Sequence, residues 1–181
     1  MKLYADLSPA GKLRRLRTLA VSALSEYDLQ DPVLTYHAYA TNLLYRVTTA
    51  TGDRYMLRLA SPGWRAREDL LSEAMWLEAL LRDTTIPAPF MVPARSGECV
   101  LAMCGAGIPD TWNACLMSWI PGRDLGHYLT AGNLEGMGRL FAELHHHGKE
   151  WNPPAGFTTR RFEHWLSRGE ENKVVVELPA S

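Results

Sequence analysis

The sequence predicts an α+β fold, in which helices pack on a mainly antiparallel sheet of about five strands. Runs rich in β-branched and aromatic residues occur in two groups, as expected for strands. An amphipathic helical pattern over residues 65–82 separates the two groups, so one helix can cover the sheet. Helical patterns also stand at both ends of the chain, and connections of ordinary length join the elements up to about residue 150.

The first half of the chain contains a helix followed by strands. Ser8 and Pro9 form an N-cap and first-turn signature, and apolar residues at helical spacing follow, which predicts a helix over residues 9–26. Three strands are predicted, from Val33 to Tyr36, over Leu43–Ala50 and over Arg54–Ala60. The turn Thr51-Gly52-Asp53 makes the last two strands a hairpin.

The second half repeats the alternation of helix and strand. The helix over residues 65–82 has a stripe of apolar residues, Leu70, Ala74, Leu77 and Leu81. Prolines at positions 87 and 89 prevent its continuation. Strands are predicted over Phe90–Ala94, Cys99–Met103 and Ala114–Trp119. A last helix is predicted over Leu134–His147, with Gly148 as its stop.

Composition excludes several classes of protein. The 181 residues carry a net charge of −1, so neither nucleic acid nor an anionic membrane is an expected partner. No apolar run approaches the roughly 20 residues that span a bilayer, and the N-terminus lacks the apolar run of a signal peptide. The three cysteines lack the spacing of a zinc site and read as small buried hydrophobic residues. We expect a cytoplasmic protein.

Arg58 and Glu73 are the first candidates for a binding function. Strand alternation places Arg58 on the same face as Met56, opposite Leu57 and Leu59. Glu73 lies on the flank of the helical apolar stripe, where an unpaired carboxylate would be costly. An ion pair between the two would remove that cost and would aim a cation at phosphate groups. An ion pair with a purely structural role explains the same spacing.

Two connecting segments could bind a ligand through their backbone. Residues 36–42 join the first two strands, and their amides, with the side chain of Asn42, could cap a phosphate. The segment has no glycine, and an ordinary hairpin turn is the alternative. In Met117–Gly122, an apolar strand ends in Pro-Gly, and its free backbone groups could bind an adenine edge. The alternative here is an edge strand that ends in a turn.

The run His145, His146 and His147 does not predict a metal site. Three successive helical residues point in three directions, whereas shared ligation of a metal needs i and i+4 spacing. Histidine near the last carbonyls of a helix, followed by Gly148, is typical of a helix C-terminus. We assign no metal-binding residue.

The ordered set of Asn42, Arg58, Glu73 and the Met117–Gly122 connector resembles the aminoglycoside phosphotransferase and choline kinase-like superfamily, which has a protein kinase-like fold. Segments 55–59, 72–80 and 140–145 resemble this family's third strand, the helix over its sheet and the first helix of its large lobe. The resemblance covers roughly residues 30–160. It implies a kinase that acts on a hydroxyl-bearing small molecule, with ATP and Mg²⁺.

The resemblance implies six nucleotide-binding residues: Asn42, Arg58, Glu73, Met117, Ser118 and Ile120. The arginine would contact the α- and β-phosphates, the glutamate would orient it, and the asparagine with its loop would cover the phosphates. The serine carbonyl and the isoleucine amide would bind adenine, and the methionine would line the pocket. Many family members have lysine where this chain has arginine, whose planar fork changes the geometry of phosphate contact.

The catalytic half of that family is not found in the sequence. No aspartate follows Asp124, so the family's His-Gly-Asp loop and its later Asp-x-Asp are both missing. Kinase chemistry needs one aspartate beside the acceptor hydroxyl and another on the metal. We therefore expect a truncated member, assign no catalytic residue and predict that the chain alone is inactive. A non-enzymatic module that binds a nucleotide or a protein is the alternative.

The resemblance divides the chain into an N-terminal helix (1–30), a kinase-like small lobe (31–119), a hinge (120–124) and a partial helical large lobe with an irregular tail (125–181). Five residues are predicted to expose apolar surface where that lobe would pack: Met117, Trp119, Leu140, Phe141 and Leu144. Such patches usually find a partner. We expect a homodimer through this vacated lobe interface, with Val174–Val176 as an added strand.

Overall fold

The computed structural model describes residues 2–158, and its α+β architecture confirms the predicted fold class. The helices α1 to α3 span Pro9–Leu24, Arg67–Asp83 and Ala131–Glu150. The strands β1 to β6 span Val33–Tyr39, Asn42–Thr48, Arg54–Ala60, Met91–Val92, Leu101–Met103 and Trp112–Ser118. A short 3-10 turn, Leu125–His127, precedes α3. The expected strand at Val174–Val176 lies outside the described residues.

The sheet is antiparallel throughout, in the order β1-β2-β3-β6-β4, and β5 also pairs with β6. Strand β6 is therefore central, because it pairs with β3 along one edge and with both β4 and β5 along the other. Its last residue, Ser118, lies opposite Tyr55 at the start of β3. The connector that follows β6 thus leaves from the middle of the sheet.

Helices α1 and α2 cover opposite faces of the sheet. Leu57 and Leu59 of β3 are fully buried in a cluster that includes Leu16 of α1. On the other face, Met117 of β6 is buried in a second cluster with Leu70 of α2. Burying one such side chain is worth about 1.5–3 kcal/mol, so both layers stabilise the sheet. Arg58 alternates with Leu57 and Leu59 and therefore belongs to the α2 face.

The N-terminal boundaries of the first two helices follow from local hydrogen bonds. The amide of Gly11 donates to Ser8 Oγ at 3.2 Å, so α1 begins at Pro9, as the capping signature predicts. The amide of Ala66 donates to Asp69 Oδ2 at 2.9 Å at the start of α2. Gly52 has a φ of +89°, which suits the predicted turn between β2 and β3.

The predicted stop at Gly148 is wrong, because α3 continues through it to Glu150. The amide of Trp151 closes the last turn on the His147 carbonyl at 2.8 Å. Pro153 follows two residues later, and the residue before a proline disfavours the helical conformation. The prolines therefore end this helix, and the glycine does not.

The side chain of His147 links α3 to α2 through hydrogen bonds. The imidazole is buried, its Nδ1 accepts a hydrogen bond from Trp76 Nε1 at 3.3 Å, and its Nε2 lies 3.2 Å from Asp83 Oδ2. Since Nδ1 is an acceptor here, Nε2 carries the proton and donates it to the carboxylate. The ring also stacks on Trp151. This residue therefore has a structural role between two helices, which is neither of the roles that the sequence pattern offered.

Cys115 is buried and Cys99 is half-buried, in line with the sequence, but Cys104 is exposed. Cys104 differs because it follows β5 in a surface loop, where its sulfur lies 3.3 Å from Thr111 Oγ1. None of the helices within residues 2–158 is both long enough and apolar enough to cross a membrane.

Candidate functional site

The structure joins Arg58 of β3 to Glu73 of α2 in a bidentate ion pair. Arg58 Nη1 donates to Glu73 Oε2 at 2.7 Å, and Arg58 Nη2 donates to Oε1 at 2.8 Å. The side chains are 15% and 23% exposed, so the pair is largely shielded from water. Fork-to-fork pairs of this kind fix both orientation and position. The pairing expected from the sequence is present, and a phosphate-binding role for it remains a prediction.

The electrostatics of the pair keep Arg58 charged. Burial has the largest single effect and lowers the pKa of Arg58, but the hydrogen bonds to Glu73, with the charge interactions of Cys115 and Glu73, together outweigh it, so the net shift of the pKa is upward. Cys115 lies opposite Arg58 on β6, and burial raises the pKa of its thiol to about 11. The thiol is therefore neutral at physiological pH. A permanent cation thus lies on the α2 face of the sheet beside one carboxylate.

A second cation, Arg65, lies beside the pair and was not found by sequence reasoning. Its Nη1 is 4.0 Å from Glu73 Oε2, and its side chain is 38% exposed. The residue belongs to the loop between β3 and α2, whose path depends on tertiary contacts. No periodicity or motif marks it. A basic residue in the connection before a helix that carries a paired glutamate is the one signal that could have drawn attention to it.

The end of β6 opens into a cavity of about 280 Å³. Its walls are Met56, Pro89, Met117, Ser118, Trp119 and Ile120. The predicted Met117, Ser118 and Ile120 therefore do come together around one space. Cavities of this kind, mostly apolar with a few backbone polar groups, are typical of small-molecule sites.

Two backbone polar groups beside the cavity, one acceptor and one donor, are available to a ligand. The amide of Ser118 donates to the Phe90 carbonyl at 2.9 Å, while the amide of Phe90 donates to Ser118 Oγ at 3.0 Å. The side-chain hydroxyl thus takes the bond that the Ser118 carbonyl would accept in a regular ladder. The Ile120 amide forms no backbone hydrogen bond within residues 2–158, and the Ser118 carbonyl points to the same side of the strand as the Ser118 amide, where the Phe90 amide binds the hydroxyl instead. One acceptor and one donor are free for a planar base.

Met117 connects the cavity to the ion pair. Its side chain lines the cavity, and its sulfur lies 3.1 Å from Arg58 Nη2. The prediction that Met117 is exposed is wrong, because it is only 6% exposed and packs in the cluster beneath α2. Trp119 is half-buried, with His37 edge-on and the Arg54 guanidinium over its ring. The cavity and the pair therefore form one continuous site.

The loop expected over residues 36–42 is mostly strand. Strand β1 continues to Tyr39 with a bulge between Tyr36 and Ala38, and β2 begins at Asn42, so only residues 40 and 41 form the turn. Tyrosine favours extended structure, which explains why the hairpin closes so tightly. The expected long phosphate loop is absent from this hairpin.

Asn42 lies on the α2 face, two positions along β2 from the residue opposite Arg58. Its Nδ2 lies 3.3 Å from Thr41 Oγ1, and its buried Oδ1 has no hydrogen-bond partner. A buried amide oxygen without a partner is costly. The location fits a polar contact with a ligand, and the contact of Asn42 with phosphate stays a prediction.

The family resemblance implies Mg²⁺, but the described residues do not fit a metal. Within residues 2–158, no group of three or more His, Cys, Asp or Glu side chains could hold one. Both oxygens of Glu73 are taken by Arg58. No step below is therefore assigned to a metal.

Two larger cavities lie away from this site. One, of about 500 Å³, lies between the end of α2 and α3 and includes Asp83 and His147. The other, of about 490 Å³, lies between the 3-10 turn and α3 and includes Tyr128 and Leu140. Neither includes a residue predicted from the sequence to bind the nucleotide. We therefore place the candidate site at the smaller cavity, which borders the ion pair.

Comparisons with known proteins agree with this geometry. The model of the phosphotransferase enzyme family (APH) matches residues 35–180. The solved structure of a microcompartment-associated aminopropanol kinase is 28% identical, with a TM-score of 0.71 over 81% of this chain and 45% of that one. The amicoumacin kinase hAmiN, solved with AMP-PNP and Ca²⁺, is 23% identical, with a TM-score of 0.51 over 70% of this chain and 36% of that one. No curated protein matches significantly.

The chain thus spans less than half the length of either of these kinases. Its described part corresponds to a kinase-like small lobe together with the first helix beyond it. The family match covers most of the chain, from β1 onward, and includes the cavity and the ion pair. The chain belongs to the phosphotransferase enzyme family.

Proposed function

We propose that this chain is the nucleotide-binding half of an ATP-dependent phosphotransferase that acts on small molecules. The observation that carries the proposal is the continuous site in which Met117 joins the cavity after β6 to the Arg58–Glu73 pair. A base in the cavity would bind the free Ser118 carbonyl and Ile120 amide. Its phosphates would then extend along β3 toward Arg58.

The roles within this site follow from its contacts. Arg58 donates one hydrogen of each Nη atom to Glu73 and another from Nη2 to the Met117 sulfur, which leaves the Nε hydrogen and the second Nη1 hydrogen for phosphate oxygens. Glu73 holds the planar fork in place and so acts as a positioning residue. Similarity to the aminopropanol kinase supports a small amino alcohol as the class of acceptor. The acceptor would bind in a lobe of which residues 2–158 include only the beginning.

Ile120→Pro is expected to weaken the binding of ATP, ADP and AMP about tenfold, because it removes the backbone donor that the base would use. Ile120→Val is the matched control, since it keeps the amide and nearly the same side chain. Calorimetry with each nucleotide, with and without magnesium, measures the effect. Equal affinities of the two variants would contradict the assignment of Ile120. Failure of the unaltered chain to bind any of the three nucleotides would refute the proposed function.

We further infer that the 181-residue chain binds a nucleotide without transferring its phosphate, because no aspartate follows Asp124. The non-enzymatic alternative, a binding module derived from a kinase small lobe, rests on the same absence of aspartate. The two hypotheses differ in how magnesium should change the affinity for the nucleotide. A nucleotide-binding module requires the cavity groups and no metal, whereas a lobe built for transfer gains affinity when Mg²⁺ accompanies the phosphates. The three free cysteines suit the reducing cytoplasm that we propose as its location.

A homodimer through the vacated lobe interface remains our proposal for the partner. Leu134, Leu140 and Phe141 of α3 are 44%, 39% and 50% exposed, while Met117 contributes nothing to this surface. Burial of such groups is worth roughly 25 cal/mol per Å² before the cost of association, and two-fold closure is common. We expect Phe141→Glu to shift the protein from dimer to monomer in sedimentation at micromolar concentration. Lys149→Gln, on the same helix, is the control for charge, because it also changes the net charge by one negative unit. A monomeric unaltered chain would contradict the proposal.

A further inference from the structure

We propose that Arg65 is a second phosphate-binding cation, which contacts the terminal phosphate of a nucleoside triphosphate. The inference deepens the proposed function and rests on it, because a base in the cavity defines where the phosphates go. In this proposal, Arg65 gives the protein a preference for nucleoside triphosphates over nucleoside monophosphates.

Among residues 2–158, no group forms a hydrogen bond with the guanidinium of Arg65. At 4.0 Å from Glu73 Oε2, its Nη1 is attracted to the carboxylate but lies beyond hydrogen-bond distance. Within the described part of the chain, the one hydrogen bond of Arg65 to another residue's side chain uses its carbonyl, which accepts from Asn113 Nδ2 at 3.4 Å. All five guanidinium donors are therefore available, and the side chain is 38% exposed.

The charge balance at the pair favours an anion. Arg58 and Arg65 both approach the same oxygen of Glu73, so two cations share one carboxylate. The ion pairs found within residues 2–158 give neither arginine another acidic partner. The neighbouring Cys115 thiol is neutral, since burial raises its pKa. One positive charge remains uncompensated beside a partly buried pair, and a phosphate group would offset it.

The peptide group that joins Arg65 to Ala66 is anchored at both its carbonyl and its amide. The bond from Asn113 ties the Arg65 carbonyl to β6. The next residue, Ala66, is held by the Asp69 carboxylate at the start of α2. The Cα of Arg65 is thus fixed between the sheet and the helix that carries Glu73. A long flexible side chain on a fixed Cα can reach an anion at little backbone cost.

The direction of β3 gives the order in which a nucleotide would meet the two arginines. Tyr55 lies opposite Ser118 at the cavity end, and Ala60 lies opposite Asn113 at the far end. Arg58 is three residues along the strand from Tyr55, about 10 Å at 3.3 Å per residue. Arg65 follows β3 and is bonded to Asn113, so it lies beyond Arg58. A chain of phosphates from the cavity reaches Arg58 first and Arg65 afterwards.

The test compares affinities for ATP, ADP and AMP, measured by calorimetry without divalent cations. Arg65→Gln keeps a polar side chain and removes the charge. We expect it to weaken ATP binding about tenfold and to leave AMP binding unchanged, because only the longer nucleotide reaches this position. Added salt should reduce the preference of the unaltered protein for ATP over AMP. The matched control is Arg67→Gln, since Arg67 lies two residues away and pairs with Glu98 at 2.9 Å.

The outcomes separate this inference from the proposed function. If the unaltered protein binds ATP and Arg65→Gln keeps the same ratio of ATP to AMP affinity, the inference fails and the proposed function stands. An equal loss for all three nucleotides also overturns it, because the effect would then lie in the base or the fold. If the unaltered protein binds none of them, both fail. Because Arg65 is half-exposed, the urea midpoint of Arg65→Gln should match that of the unaltered chain.

Discussion

Glu73→Ala is expected to lower the free energy of unfolding by about 2–3 kcal/mol. The substitution leaves Arg58, which is 15% exposed, without its carboxylate, and it removes the group that holds Arg58 and Arg65 together. Breaking a fully buried pair costs about 3–5 kcal/mol, and partial exposure makes this pair cheaper to break. Urea denaturation with an unchanged m-value measures the loss. For a chain of this size, the melting temperature should fall by about 2–4 °C per kcal/mol.

The ion pair also predicts that removal of Arg58 and removal of Glu73 lower the free energy of unfolding by different amounts. Arg58→Met should cost less than Glu73→Ala, because Arg65 can move the short distance to Glu73 and replace the lost cation. The double variant Arg58→Met with Glu73→Ala should cost less than the sum of these two single variants, since neither member of the pair is left unpaired. Equal costs for the two single variants, or strict additivity in the double one, would contradict the account of the pair.

Strand alternation and helical periodicity were sufficient for the fold and for the central pair. Leu57 and Leu59 point to one face and Arg58 to the other because the side-chain period of a strand is two. Glu73 lies on the flank of an apolar stripe whose buried members, Leu70 and Leu77, orient α2 on the sheet. These are local rules, and here they fix which face each side chain occupies. The pocket at Met117 was implied by the family resemblance, because the Pro-Gly break alone is explained equally by an edge strand that ends in a turn.

The features that sequence reasoning missed depend on contacts between distant segments. Arg65 reaches the pair because Asn113, 48 positions away, holds its carbonyl. Met117 is buried because α2 packs over it, so its burial does not depend on a lobe beyond the connector. His147 is buried because Trp76 and Asp83 of α2 bind both of its ring nitrogens. No pattern within one segment reports such pairings.

The family resemblance implies lysine in many members at the position of Arg58, and the pair shows what arginine supplies there instead. A lysine presents one ammonium to a glutamate, whereas Arg58 uses two Nη atoms on two carboxylate oxygens. Its orientation is therefore fixed before any ligand arrives. The charge that a flexible lysine would bring to the phosphates is supplied in part by Arg65, in our proposal. In that proposal, Glu73 holds Arg58 in a fixed orientation, and Arg65 supplies the additional positive charge.

Phosphoryl transfer by the 181-residue chain alone is expected to be undetectable, at least about a thousandfold below the 1–100 s⁻¹ that is usual for kinases. A base that accepts the proton of the acceptor hydroxyl contributes about 10²–10⁴-fold, and ordered metal ions contribute further. Glu73 and Asp124 are both engaged, since Glu73 binds Arg58 and the Asp124 carboxylate accepts from the Gly126 amide at 2.8 Å. No aspartate follows Asp124 in the sequence.

The measurement is the formation of ADP from ATP and Mg²⁺, with small amino alcohols as acceptors and protein purified to homogeneity. Arg58→Met serves as the control. ADP formation by a contaminating kinase would not change with this substitution, whereas ADP formation by this chain would be lost. Turnover that scales with protein concentration, depends on the acceptor and disappears in Arg58→Met would overturn the prediction. The proton acceptor would then have to be another group, and the glutamates after Asp124 would be the first to substitute.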